Sequence, residues 1–163
     1  MHVFRITLAL FALLPLVTGL ADVLLGVTGQ VTLGVQVPAS DLADPVLDSQ
    51  FRFLASCWFG LGLLLCLCAW RPRRYPNLLR GTLFVIFLGG IGRGLAVAQT
   101  GWPAGTTGLV FVVLAMLIEL VGMPLLLWWH WRITARERIL GRAMKSGETT
   151  RQAQPGYFRR DRE

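Results

Sequence analysis

Four apolar stretches, each about as long as a membrane-spanning helix, constrain this chain more than any other feature. They run over residues 3–26, 51–70, 79–100 and 108–131. A helix of about 20 apolar residues crosses the ~30 Å hydrocarbon core of a bilayer. Irregular backbone is not tolerated against lipid, because its N–H and C=O groups find no water there. The sequence therefore predicts an all-α membrane protein, a bundle of four transmembrane helices.

The composition agrees with lipid as the surrounding solvent. Hydrophobic residues make up 54% of the 163 residues and charged residues only 15%, whereas a soluble domain carries about 25% charged residues. The three cysteines, Cys57, Cys66 and Cys68, all lie in the second stretch. Small apolar packing is the ordinary role of such residues, and we expect no disulfide or metal site from them.

Charge is distributed unequally between the connections and predicts the orientation. The segment 27–50 carries Asp41, Asp44 and Asp48 without any Lys or Arg, and the segment 101–107 carries no charge. The turn after the second stretch holds Arg71, Arg73 and Arg74, and residues 132–163 hold nine Lys or Arg. Basic residues mark the cytoplasmic side of a membrane. Both termini are therefore predicted to be cytoplasmic.

An alternative for the first stretch is a cleaved secretory signal. Arg5, the apolar run 6–17 and the small residues of Gly19-Leu20-Ala21 fit that pattern. Cleavage would leave three spans in the same orientation, so the loop charges do not decide between the two interpretations. The apolar stretch continues through residues 23–25, which favours a retained helix.

Four ionisable residues, Asp22, Arg52, Arg93 and Glu119, lie in or at the edge of the spans. A charge at mid-helix costs about 2.5–3.5 kcal/mol on insertion scales, so such groups normally face the bundle interior and pair. At 1.5 Å per residue, Arg93 lies about 10 Å and Glu119 about 16 Å below the outer surface. The four residues are therefore predicted to gather in the outer half of the bundle.

Small residues accompany these charges and predict where the helices pack closely. They are Ser56, Gly60, Gly89, Gly90, Gly94 and Gly122. Two interpretations of the charge cluster remain open. It is either a structural ion-pair network that specifies which helices meet, or a polar pocket that opens outward and binds a ligand.

The C-terminal segment 132–163 is predicted to be a basic cytoplasmic tail, partly disordered beyond Ser146. Its basic residues closest to the membrane are Arg132, Arg136, Arg138, Arg142 and Lys145. They fit either the ordinary positive-inside bias or contact with anionic lipid. Nucleic acid is not an expected partner, because no recognition motif accompanies the charge.

No motif for a cofactor, a metal or nucleophilic catalysis is present. The two histidines, His2 and His130, are far apart in the sequence. The glycine-rich run 89–94 lies within a predicted membrane helix, where close packing explains it. We therefore expect no cofactor and no metal.

Five sequence segments resemble a bacterial family of membrane proteins, the domain of unknown function 4345. The segments are Asp44-Pro45-Val46-Leu47-Asp48-Ser49 with Phe51-Arg52-Phe53, Phe59-Gly60-Leu61-Gly62, Arg71-Pro72-Arg73, Phe87-Leu88-Gly89-Gly90-Ile91-Gly92-Arg93 and Leu117-Ile118-Glu119-Leu120-Val121. The resemblance covers residues 4–131. The family itself is loosely similar to the small DoxX-like membrane proteins. It implies a retained first helix, a bacterial inner-membrane location and family-type positions at Arg52, Arg93 and Glu119. The basic tail departs from the family's short ending, and the resemblance implies no activity.

Three functions follow as hypotheses. The first is a non-enzymatic accessory or scaffold subunit that meets a membrane protein partner through its helix faces and tail. The second is a binder or carrier of a small amphipathic ligand, a quinone or a lipid, in the outer-half pocket. An intramembrane enzyme is the third and has the least support in the sequence.

Overall fold

Four long helices form the body of the protein in a computed structural model that describes residues 2–72 and 74–135. Helix α1 (His2–Leu25) runs into a 3₁₀ helix (Gly26–Leu33), and a single turn, α2 (Ala39–Leu42), precedes α3 (Pro45–Trp70). Helix α4 (Pro76–Thr100) follows a short turn. Helix α5 (Thr106–Leu117) passes through a π turn (Ile118–Gly122), and the chain stays helical to residue 135.

The predicted helical architecture is confirmed. Within the described ranges, four helical segments are long and apolar enough to cross a membrane, namely His2–Leu33, Pro45–Trp70, Pro76–Thr100 and Thr106–Ala135. No β-strand occurs in the same ranges. The chain is thus an all-helical protein of the multi-pass membrane type.

Helix α3 begins earlier than its apolar stretch because Asp44 and Pro45 start it. Asp44 is the N-cap of α3, where its Oδ1 accepts hydrogen bonds from the backbone N–H groups of Val46 (2.7 Å) and Leu47 (3.1 Å). Pro45 occupies the first helical position, where its missing N–H costs nothing. Helix α3 therefore begins at residue 45, before the apolar stretch 51–70 that it contains.

The structure divides into two units between residues 127 and 128. The described part of the second unit, residues 128–135, is helical. In it the Arg132 guanidinium carbon lies 4.3 Å from the centre of the Trp128 ring. The other predicted lipid-facing basic residues, Arg136, Arg138, Arg142 and Lys145, lie outside the described residues.

Helices α1 and α3 make the most extensive contact between helices in the first unit. At Gly19 a Cβ atom would stand 2.8 Å from the backbone nitrogen of Phe59, and at Gly62 it would stand 2.9 Å from Cγ of Leu16. The Trp58 indole Nε1 also donates to Thr18 Oγ1 at 2.9 Å. Two glycines thus let the helices approach closely, which is how helices associate in lipid without a hydrophobic driving force.

Each of these two helices also provides an arginine that hydrogen-bonds to carbonyl groups near the C-terminal end of the other helix. Arg5, near the start of α1, donates from Nε to the carbonyl of Ala69 near the end of α3 (2.9 Å). Arg52, near the start of α3, donates from Nη1 to the carbonyls of Val23 (2.5 Å) and Leu24 (3.1 Å) near the end of α1. The last carbonyls of a helix have no intrahelical partner and favour cations. These two contacts fix the antiparallel register of the pair.

The Arg52 end is reinforced by Asp48 and Gly26. Asp48 accepts the Arg52 Nε through Oδ2 at 2.7 Å and the Val27 N–H through Oδ1 at 3.0 Å. Gly26 has a φ of +64°, and a Cβ there would collide with Asp48 Oδ1 and Arg52 Nη2. Only glycine fits this position, because the positive φ disfavours other residues and a side chain would have no space.

Replacing Gly19 with alanine tests the close approach of α1 and α3. The added methyl meets the Phe59 backbone, which cannot move aside alone, so we expect Gly19→Ala to destabilise the bundle by about 1–3 kcal/mol. Gly60→Ala is the matched control, because a Cβ at Gly60 has no neighbour within 4 Å. Thermal unfolding in detergent, followed by near-UV circular dichroism, measures both. An equal effect of the two variants would contradict the assigned interface.

Replacing Arg52 with glutamine tests the closure of the α1 end. Hydrogen bonds to a charged donor contribute about 1.5–3 kcal/mol, so their loss should let residues 23–27 open more often. We expect faster hydrogen exchange in peptides covering those residues and unchanged exchange around Ala69. Arg74→Gln, at an exposed arginine in the turn before α4, is the control for loss of one positive charge. Unchanged exchange in Arg52→Gln would refute the closure.

Candidate functional site

Arg93 of α4 and Glu119 of the π turn form an ion pair between the third and fourth spans. The Arg93 Nε lies 3.1 Å from Glu119 Oε1 and 3.0 Å from Oε2, and it donates to both. The Glu119 side chain is only 2% exposed, while the Arg93 side chain is 35% exposed. The carboxylate is therefore enclosed by protein, whereas part of the guanidinium remains accessible.

The absence of a side chain at Gly90 brings these two charges together. A Cβ on Gly90 would stand 2.8 Å from Cβ of Glu119 and 3.0 Å from Cδ2 of Leu120. The close approach leaves no room for another side chain beside the carboxylate. The Arg93 guanidinium also lies over the Phe111 ring, with its Cζ 5.4 Å from the ring centre, in the range of a cation–π contact.

Glu119 lies in a π turn, which the sequence reasoning did not foresee. Pro124 follows the turn and has no N–H to donate to the carbonyl of Leu120, which its ring also crowds. A wider turn before the proline relieves this conflict and shifts the face on which the following residues lie. Single π turns inside α-helices are frequent at functional sites.

Asp22, near the end of α1, is the third charged residue of this region. Its Oδ1 accepts a hydrogen bond from Gln30 Nε2 at 2.9 Å. Its carboxylate also lies within electrostatic range of the Arg93 guanidinium. We refer to Asp22, Arg93 and Glu119 as the polar site.

Arg52, the remaining member of the predicted cluster, has different partners. It forms its ion pair with Asp48, one helical turn earlier, and donates to carbonyls of α1. The structure therefore divides the four charges into the polar site and a separate contact at the end of α1. The sequence offered a signal for this pair that was not used, since Asp48 and Arg52 have the i, i+4 spacing of helical ion pairs.

The predicted packing residues differ in what surrounds them. A Cβ at Gly94 would stand 3.6 Å from Cε of Met116, and one at Gly122 would stand 3.5 Å from Cε1 of Phe11. At Gly89 the nearest atom is Oε2 of Glu119, at 3.9 Å. These three positions, like Gly90, border neighbouring helices.

Ser56 and Gly60 do not lie at a close helix contact in the structure. Ser56 is exposed, and its Oγ donates to the carbonyl of Arg52 at 2.8 Å. Gly60 has no atom within 4 Å of the place of a Cβ. Close packing on α3 occurs at Gly62 instead, because two residues along a helix face nearly opposite directions. The sequence analysis did not identify Gly19 and Gly62 as packing positions, although Gly19 lies one turn before Asp22.

The chemistry available to the polar site is hydrogen bonding and charge. Among the described residues, Arg93 donates only through Nε, and its two terminal nitrogens make no hydrogen bond. In the same part of the chain, no three His, Cys, Asp or Glu side chains come together as a metal site would need. The two terminal nitrogens of Arg93 can thus donate to an oxygen atom of another molecule while Nε remains bonded to Glu119.

Comparison with known families identifies the part of the chain that carries this site. No curated protein and no solved structure gives a significant match. One family model, described as a domain of unknown function (DUF4345), matches residues 3–130. That range contains all four spans up to residue 130 and every residue of the polar site. The chain belongs to the DUF4345 family, as its sequence motifs predicted.

Proposed function

We propose that this membrane protein binds a small amphipathic molecule, such as a quinone or a lipid, at the polar site. The single observation that supports this function is how the Arg93 side chain is hydrogen-bonded and exposed. Its Nε is held by a buried carboxylate, while its terminal nitrogens have no hydrogen-bond acceptor among the described residues and the side chain is 35% exposed. An arginine held in this way is a preorganised donor within apolar surroundings.

The glycines around Arg93 leave space for such a molecule. Gly92 has no atom within 4 Å of the place of a Cβ, and at Gly89, one turn before Arg93, only a carboxylate oxygen comes that near. On this face the ring of Phe111 provides an apolar surface, with its centre 5.4 Å from the Arg93 guanidinium carbon. The combination of an apolar surface and a few polar groups is typical of small-molecule sites.

The charge of the polar site favours a neutral ligand over an anion. The Glu119 carboxylate pairs with the Arg93 guanidinium, and the Asp22 carboxylate adds a weaker electrostatic attraction to it. The polar site therefore holds two acidic side chains and one basic side chain. Adding a further negative charge would be opposed by this formal excess, since charges interact strongly where water is scarce. A carbonyl or hydroxyl oxygen accepts from Arg93 without that cost, and it is the polar group of a quinone or a neutral lipid.

The location proposed for this function is the bacterial inner membrane, with both termini in the cytoplasm. The acidic connection 27–50 and the basic turn 71–74 lie at opposite ends of α3. The positive-inside tendency then assigns the basic turn to the cytoplasm and the polar site to the outer half of the membrane.

Variants of the Arg93–Glu119 pair separate ligand binding from helix packing. Arg93→Gln leaves a buried carboxylate without its partner, and we expect a loss of up to about 3–5 kcal/mol of stability. The double variant Arg93→Gln with Glu119→Gln replaces the ion pair by neutral amides that can hydrogen-bond each other. We expect it to recover the melting temperature but to bind no ligand. Arg74→Gln is the control.

Binding is measured with a short-chain quinone, and with an alkyl phosphate of equal chain length as an anionic comparison. We expect the wild-type protein to bind the quinone more tightly than the phosphate, by fluorescence titration of its tryptophans. Retention of quinone binding in the double variant would reject the proposal and leave a structural ion pair. Purification with a stoichiometric protein partner and no small molecule would favour an accessory subunit instead.

Reporter fusions test the orientation. A reporter active only outside the cytoplasm should be active when fused after Asp41 and inactive when fused after Arg74, because the basic turn resists translocation. The opposite pattern would invert the layout and place the polar site in the inner half of the membrane.

A further inference from the structure

An open groove lies between α1 and α3 at the end of the bundle opposite the polar site. It has a volume of about 420 Å³ and is lined by His2, Arg5, Ile6 and Ala9 of α1 and by Cys66 and Trp70 of α3. All of these residues belong to the first unit of the structure. We refer to it as the basic groove.

Positive charge in the basic groove has no acidic counterpart nearby among residues 2–72 and 74–135. Arg5 is oriented by the bond from its Nε to the Ala69 carbonyl, and among the described residues its terminal nitrogens make no hydrogen bond. The Arg71 guanidinium carbon lies 5.0 Å from the centre of the Trp70 ring, beside the groove. No Asp or Glu occurs in residues 1–21 or 49–118. The acids of α1 and α3, Asp22 and Asp48, lie at the other end of these helices.

Apart from His2 and Arg5, the lining of the groove is apolar. Ile6 is 61% exposed and Trp70 is 66% exposed, and Ala9 and Cys66 contribute only small side chains to the lining. Tryptophan is enriched at the level of the lipid headgroups, where one side of the ring meets hydrocarbon. The groove thus joins an apolar channel along the helices to a basic end at the headgroup level.

We propose that the basic groove binds one anionic phospholipid. The phosphate lies between Arg5 and Arg71, where Arg5 presents its free donors and Arg71 contributes charge from above Trp70. Part of an acyl chain follows the small side chains of Ala9 and Cys66. Charge complementarity selects the lipid, because two arginines with no carboxylate beside them in the described part of the chain match a headgroup with a net negative charge. A zwitterionic lipid brings its own cation into the same place and binds more weakly.

This inference does not depend on the proposed function of the polar site. The two sites lie at opposite ends of α1, and they carry opposite charge. The basic groove would keep a lipid of the leaflet that faces the 71–74 turn, while the polar site would take a neutral molecule from the other half of the membrane.

Filling the groove tests the inference. The full chain is purified in detergent, supplied with equal amounts of phosphatidylglycerol and phosphatidylethanolamine, and examined by native mass spectrometry. We expect wild-type protein to retain phosphatidylglycerol in preference. Ala9→Phe fills the groove without changing its charge. Because the lipid is then excluded from the groove, the bound phosphatidylglycerol should fall at least about fivefold, which is the loss that removing one basic contact alone would cause. Ala98→Phe, at an exposed position of α4, is the matched control and should bind as wild type.

A second pair of variants tests the charge without touching the groove's shape. Arg71→Gln should weaken phosphatidylglycerol retention about fivefold, while Arg74→Gln should not, because Arg74 lies over Tyr75 and not over Trp70. The inference is overturned by equal retention of the two lipids in the wild type. It is also overturned if Ala9→Phe and Arg71→Gln both retain as much phosphatidylglycerol as their controls.

Discussion

A polar group surrounded by lipid must find its partner within the protein, and this requirement organises the whole structure. The last carbonyls of α1 and α3 accept hydrogen bonds from Arg52 and Arg5, each donated by the opposite helix. The Trp58 indole donates to Thr18, and Glu119 accepts from Arg93. In water, each of these contacts would compete with solvent and contribute little. For Trp58 and Glu119, which lie within the spans, the alternative is an unsatisfied group against hydrocarbon, which costs several kcal/mol.

The ion pairs Asp48–Arg52 and Arg93–Glu119 have different structural consequences because their partners differ in sequence separation. Asp48 and Arg52 are one helical turn apart, and both are part-exposed, so this pair forms within α3 and then acts on α1. Arg93 and Glu119 belong to different spans and meet only when α4 packs against the π turn. Removing a partner therefore affects a helix end in the first case and the contact between two helices in the second.

The four helices were predictable from the sequence because lipid leaves few alternatives for a long apolar stretch. Their starts were less predictable, since Asp44 and Pro45 extend α3 beyond its apolar part. The pairing of Arg93 with Glu119 follows from similar depth and from the reach of an arginine stem. Arg52 was grouped with them by depth and by the small residues on its helix face, and the structure shows that a local acid and two helix carbonyls are its partners. The π turn had only one trace in the sequence, Pro124.

The sequence by itself determined the helical class, the number of spans and the residues whose charge needs a partner. These properties depend on composition and spacing along one chain, and in lipid a long apolar stretch can satisfy its backbone hydrogen bonds in few ways other than a helix. Only the tertiary structure decided which charges meet, which glycines are covered and where accessible surface remains. Gly60 and Gly62 have the same chemistry, yet only Gly62 lies against α1. That choice depends on the rotation of each helix about its axis, which is set by packing against its neighbours and leaves no local mark in the sequence.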